Sequence, residues 1–247
     1  TGLEKEESFY DLVQALDITN GISRFRISSI EPNLLNEDII QFVAQSEKFV
    51  PHFHIPLQSG SDKILKLMRR RYLRDLYANR VAVIKKLMPH CCIGVDVITG
   101  FPGETHEDFL DTFHFLNDLD ISYLHVFTYS ERPNTFALSM KEVVPQKIRE
   151  ERTTQLRSLS EKKRRYFYNQ FVNTTRNVLF EEETDGEWMF GFTDNYIRVK
   201  THYDPLLVNE IVPVFLEQIA ADGDMLGMPQ TNNEEHNLTH HLMHNQH

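Results

Sequence analysis

The chain is poor in cysteine: of 247 residues only Cys91 and Cys92 are cysteines, and they are neighbours. Adjacent cysteines are badly placed for an ordinary disulfide, so both are expected as buried free thiols in a reducing, cytoplasmic protein. No apolar run approaches the ~18 to 20 residues of a membrane helix, and no basic-then-apolar stretch opens the chain. Neither a membrane span nor a secretory signal is expected. Cations are also scarce, with 26 Lys and Arg against 36 Asp and Glu, a net charge of −10. That balance argues against broad electrostatic attraction to nucleic acid. The cations that exist gather in two places, Lys63 to Arg74 and Lys162 to Arg165. Each cluster suits a solvated helix face as well as a phosphate track.

What is present is organised around VDVITGFPGET, residues 95 to 105. The β-branched apolar run ending at Thr99 reads as a buried strand, and Gly100, Pro102 and Gly103 break it. Thr105 and Asp108 then have the spacing of a capping box before the amphipathic run Phe109, Leu110, Phe113, Leu116. A strand, a glycine turn and a helix start together form the unit whose carboxyl end builds sites in α/β folds, or else merely a turn.

The same alternation recurs along the chain. Helical spacing covers residues 6 to 17 and the run around Ile39, Ile40 and Val43; strand patterns cover Ile22 to Ser28, His52 to Leu57 and Tyr123 to Thr128. Ser61 and Asp62 open a helix, and Pro89 stops a longer one that runs through Leu87. Strands and helices in this order predict a parallel sheet over residues 1 to 143. Residues 144 to 171 read as a charged connecting helix with Ile148, Leu156, Leu159, Tyr166 and Phe167 as its stripe. Residues 172 to 220 contain short strand-like runs between Asp185-Gly186, Asp194-Asn195 and Asp204-Pro205 turns, as a small β-barrel would. Residues 221 to 247 are polar and read as a disordered tail. Its histidines, His236, His240, His241, His244 and His247, could alternatively capture a metal.

Alternation within the strands sorts side chains to two faces. Phe25, Ile27, Phe53, Ile55, Val95, Val97, Leu124 and Val126 should face the helices, leaving Arg26, Ser28, His52, His54, Asp96 and His125 on the other face. Buried charge has to be paired or used, so that second set marks either a hydrogen-bonded network or a site.

Four stretches, FRISSIEPNLL (25 to 35), HFHIPLQSGSDKILKLMRRRY (52 to 72), DVITGFPGET (96 to 105) and LHVFTYSERPNT (124 to 135), resemble consecutive motifs of the radical S-adenosylmethionine methylthiotransferases. GFTDNYIRV (191 to 199) resembles the small β-barrel, the TRAM domain, that closes those proteins. The wording SSIEPNLL, HFHIPLQSGSD and YSERP is most similar to the branch that acts on threonylcarbamoyladenosine beside the tRNA anticodon. The branch that modifies a ribosomal-protein aspartate is the alternative, as is a non-catalytic RNA-binding remnant. The resemblance implies an α/β fold, a partial (β/α) TIM-like barrel followed by the β-barrel. It also implies S-adenosylmethionine, two 4Fe-4S clusters, a sulfur donor, a reductant and tRNA as cofactors and partners, and a monomer at full length. By the same resemblance Gln58, Ser59 and Ser29 would meet the ribose and carboxylate of S-adenosylmethionine. The adenine would lie against Ile98 to Gly100, with His54, Asp96 and Arg71 as further contacts. Arg69, Arg70, Lys163, Arg164 and Arg165 are the expected RNA contacts.

The family's cluster-binding cysteines have no counterpart here, so no cluster ligand is expected in this chain, which reads as a carboxyl-terminal portion, inactive alone. Residues 171 to 220 hold nine Asp or Glu against three Lys or Arg. A barrel so acidic would have to meet RNA by stacking, with Trp188, Phe190 and Tyr196 as candidates if they are not core. One rival reading uses the H-x-H pair His52 and His54 with Asp96 and His125 as a barrel hydrolase's metal ligands.

Overall fold

A computed structural model of the chain describes residues 8–230, and these fall into two compact units that divide after Phe167. In the first unit the strands β1 (Phe25–Ile27), β2 (Phe49–His54), β3 (Cys92–Thr99) and β4 (Tyr123–Thr128) form one parallel sheet in that order. Helices α1 (Phe9–Asp17), α2 (Glu37–Gln45), α3 (Asp62–Leu67), α4 (Arg74–Leu87) and α5 (His106–Asp118) alternate with the strands. Four of the five starts have a local reason, since Ser8, Asn36, Ser61 and Thr105 accept backbone N–H groups as N-caps; α4 starts without a side-chain cap and ends just before Pro89. Phe53, Ile55, Val95 and Val97 are fully buried in one core with Ile39, Ile40, Tyr77 and Ile84 of the helices, as the alternation predicts.

The strand expected over 52 to 57 starts earlier and ends at His54. Pro56 supplies no N–H, yet pairing to β3 resumes beyond it, since Leu57 and Gln58 both donate to the Asp96 carbonyl. The expected connector is helix α6 (Gln146–Asn169), and it is more than a connector. Leu156 and Leu159 sit in the core of the first unit, and Ser160 Oγ accepts from Leu124 N–H at 2.8 Å and donates to Leu124 C=O at 3.0 Å. α6 therefore covers the sheet edge at β4, while Tyr166 of its predicted stripe is exposed.

The second unit is a closed barrel of β5 (Thr174–Asp185), β6 (Trp188–Thr193), β7 (Arg198–His202), β8 (Ile211–Ile219) and β9 (Met225–Pro229), in the order β5-β6-β7-β9-β8. β9 corrects the boundary at 220: it lies inside the stretch expected as a tail and closes the barrel between β7 and β8. Five residues holding a glycine and a proline show no alternation to read. Gly227 is needed there because a Cβ would come within 2.5 Å of Val214 Cγ1. The five histidines of the tail lie outside the described residues.

Candidate functional site

The polar loops gather at the carboxyl ends of the strands. After β2 the chain runs Pro56, Leu57, Gln58, and Gln58 takes a left-handed backbone with φ 71 while pairing to Val97 as an extra bridge. Its N–H donates to Asp96 C=O at 2.8 Å, and its carbonyl accepts from Ile98 N–H at 2.9 Å. A non-glycine residue held in that region costs energy and survives only where its surroundings fix it. Two phenols do so from beneath: Tyr72 donates to the carbonyls of Pro56 and Leu57, at 2.9 and 3.1 Å, and Tyr77 donates to that of Ile55 at 2.8 Å. Burial pushes the Tyr72 hydroxyl up to about 12 and that of Tyr77 well above its usual range, so both remain donors. Neither tyrosine stands out in the sequence, because Tyr72 follows a basic run in the loop before α4 and Tyr77 reads as one more apolar position of that helix.

Asp108 ties this loop to the glycine turn. Its Oδ2 closes the capping box with Thr105 N–H at 3.0 Å and pairs with Lys63 Nζ at 2.7 Å. Its Oδ1 accepts from Ser61 Oγ at 2.8 Å. Burial raises the carboxyl, but Lys63, the Thr105 N–H and the Ser61 hydroxyl outweigh that and leave its pKa at about 2. The glycine turn itself is occupied from within. Gly100 has φ 76, and a Cβ there would lie 2.3 Å from Arg149 Cγ of α6. Its N–H donates to Glu104 Oε1 at 3.0 Å, and Glu104 forms a buried ion pair with Arg152. Arg149 reaches on to the Val144 and Tyr129 carbonyls and the Glu131 carboxylate. Glycine at position 100 thus admits an arginine of this chain. The arginines gave no signal, being two charges among many on a charged helix.

The expected contacts separate into groups. Gln58 and Ile98 share the bridged rim. Ser59 is corrected: it is fully buried and its hydroxyl pairs with Thr112 at 3.2 Å inside α5, so it turns away from the rim. Ser29 and Arg71 are exposed on their loops. Arg69 and Arg70 line a cleft of about 540 Å³ together with Ile98, Phe101, Phe127 and Arg132. Arg69 lies 4.3 Å over the Phe136 ring, and Arg70 pairs with Glu31 at 3.2 Å. Lys163 is also corrected. Its ammonium donates to the Asn117 and Leu119 carbonyls at 2.6 and 2.5 Å, closing the end of α5, and burial lowers its pKa. Arg164 pairs with Glu161 at 2.7 Å, and Arg165 is exposed.

Below the rim, on the sheet face away from the core, His54, Asp96 and His125 come together. His54 Nε2 and His125 Nδ1 lie 2.8 and 3.4 Å from Asp96 Oδ1. Burial alone would raise the Asp96 carboxyl, but hydrogen bonds from His125 and His54 hold it well below the carboxylate range. Tyr123 Oη sits 3.1 Å from His52 Nε2 and 3.5 Å from His54 Nδ1. Burial, with Arg26 and the two other histidines adding to it, lowers the His52 pKa to about 3, so that ring is neutral. Arg26 itself is exposed.

Residues 3–116 match the Radical SAM superfamily. That stretch of the chain is similar to radical SAM proteins. It is 39% identical over 215 residues to the threonylcarbamoyladenosine tRNA methylthiotransferase MtaB of Bacillus subtilis, a match covering 85% of this chain and 48% of that protein. It is 39% identical over 199 residues to MtaB of Aquifex aeolicus, covering 81% and 47%. It is 35% identical over 208 residues to the tRNA-2-methylthio-N(6)-dimethylallyladenosine synthase of Pelotomaculum thermopropionicum, covering 83% and 46%. The chain therefore spans about half the length of the curated relatives it matches.

The superfamily implies S-adenosylmethionine and a 4Fe-4S cluster. The described thiols do not fit a cluster. Such clusters take several spaced thiolates, whereas Cys91 and Cys92 are adjacent at the amino end of β3 and burial favours their protonated thiols, raising Cys92 to about 12. The rim fits S-adenosylmethionine better, offering the strained Gln58 and, beside Ile98, a cleft with an aromatic wall.

Proposed function

We propose that this chain contributes the S-adenosylmethionine-facing rim and the terminal β-barrel of a tRNA methylthiotransferase that acts on threonylcarbamoyladenosine. The observation that carries this reading is the 39% identity to the Bacillus subtilis MtaB protein over 215 residues, a span long enough to include both units. S-adenosylmethionine supplies the methyl group and the radical of such a reaction when bound. Within this chain Gln58, Ile98 and the backbone leading to Gly100 hold it, with Ser29 and Arg71 reaching in from neighbouring loops. His54 and Asp96 are turned on one another and support the rim from below.

Arg69, Arg132 and Arg165 are the exposed cations that face the tRNA, with Arg70 held by Glu31 beside them. The barrel, which we read as TRAM-like, contributes shape and stacking instead of charge. Its three basic residues are each paired, Arg176 with Asp194, Arg198 with Asp224 and Lys200 with Asp222. Phe190 is buried under Arg198, so Trp188 and Tyr196, both half-buried, are its stacking candidates. The test is to express the gene that encodes this chain in a bacterium lacking its own methylthiotransferase for this nucleoside, and to read tRNA nucleosides by mass spectrometry. A methylthio mass gain on threonylcarbamoyladenosine, lost in Gln58→Ala, is expected. A gain on an isopentenylated adenosine instead, or on no nucleoside, refutes the reading.

A further inference from the structure

We propose that His54, Asp96 and His125 form a binding site for one divalent transition-metal ion of the zinc class, distinct from any iron–sulfur cluster. The site stands on the geometry of three strands and does not depend on the methylthiotransferase reading. Asp96 and His125 are register partners across β3 and β4, and His54 is the last residue of β2. His54 is in register with Gly94, one two-residue step before that pair on the same face, and its ring reaches across to Asp96. One donor atom from each falls within 4.8 Å of the other two.

The spacing suits an ion. Donors ~2.0 to 2.1 Å from a tetrahedral zinc are ~3.3 Å apart. The 2.8 and 3.4 Å separations already present bracket that value, so an ion can replace the shared protons with small side-chain movements. The donor set, two imidazoles and one carboxylate, belongs to zinc and its neighbours, whereas magnesium and calcium take oxygen alone. Three protein ligands leave a further position open.

Two more features point the same way. Ligating histidines have the far ring nitrogen fixed by a partner, and Tyr123 Oη, 3.5 Å from His54 Nδ1, is placed to take that part while it rests on His52 at 3.1 Å. Exposure rises in steps, from the buried His54 through Asp96 to His125, whose side chain is 55% exposed. An ion has a way in, and the innermost ligand is rigid. The competing account is a hydrogen-bonded triad that holds the strands together without metal.

The experiment must silence the five tail histidines, so it uses the full chain with His236, His240, His241, His244 and His247 changed to Asn. The protein is stripped with chelator and titrated with Co²⁺ by visible absorption, then with Zn²⁺ in competition. One equivalent of Co²⁺ is expected, displaced by Zn²⁺, with affinity falling about tenfold or more in Asp96→Asn and in His125→Ala. His125 is exposed enough for its replacement to leave the fold intact, which an unchanged circular dichroism spectrum checks. Failure to bind either metal, or binding undiminished in His125→Ala, overturns the proposal in favour of the metal-free triad.

Discussion

Asp108 is the position where the two polar loops of the rim are joined, and replacing it by Asn tests that. The carboxylate has three partners on two elements: the Thr105 backbone at the start of α5, and the Ser61 hydroxyl and Lys63 at the start of α3. Its pKa falls from 3.8 to about 2 on folding. At ~1.4 kcal/mol per unit the full shift corresponds to ~2.4 kcal/mol. Lys63 is half exposed, so its share is screened by water, and ~2 kcal/mol is the expected loss in Asp108→Asn at pH 7. The sign follows from the proton balance. The unfolded chain binds the proton more tightly, so the contribution is complete above pH ~4 and is lost as pH falls through about 2. Urea unfolding at several pH values is the assay, followed by circular dichroism because the helices belong almost wholly to the first unit. Tryptophan fluorescence would mislead, since Trp188, the single tryptophan, lies in the second unit. The gap between the wild type and Asp108→Asn should shrink to about half by pH 3. A gap under ~0.5 kcal/mol at pH 7, or one that stays constant to pH 3, refutes the assignment of Asp108 as the charged junction.

Three further substitutions probe the same framework. Gly100→Ala must place a Cβ 2.3 Å from Arg149 Cγ at φ 76, so a loss of ~2 kcal/mol or more is expected in urea unfolding; Arg149→Ala in the same chain should recover part of it, and no recovery would show that backbone strain alone is responsible. Tyr77→Phe removes the hydroxyl donating to the Ile55 carbonyl and should cost ~1 to 3 kcal/mol, since a buried acceptor is left unmet. Lys163→Ala should lower stability by ~1 kcal/mol through the end of α5 and leave tRNA affinity unchanged, whereas Arg165→Ala should do the reverse; a filter-binding assay on both variants decides it.

The order of elements in the first unit was legible because each carries its own local signal. Thr105 and Asp108 form the capping box their spacing implies, Pro89 stops α4, and the alternation in Val95 to Thr99 puts Val95 and Val97 in the core with Asp96 on the other face. Those signals are written within a few residues of chain. The rim's actual supports are not. Arg149 is about fifty residues from Gly100, and Arg152 about as far from Glu104, and nothing near either arginine distinguishes it from the solvated charges around it. Ser59 and Lys163 mislead for the same reason. A serine in a polar loop and a lysine in a basic run look available, yet Ser59 is held by Thr112 and Lys163 by two carbonyls of α5, partners more than forty residues distant. Resemblance names a residue by its motif, whereas packing decides which way its side chain turns. The triad of His54, Asp96 and His125 shows the converse. Alternation alone assigned the three to one face; parallel register then paired Asp96 with His125 and set His54 one step before them, within side-chain reach. A polar residue recurring on the non-core face of adjacent strands is thus a signal that sequence can carry over long range, because the strand period and the pairing register are both regular.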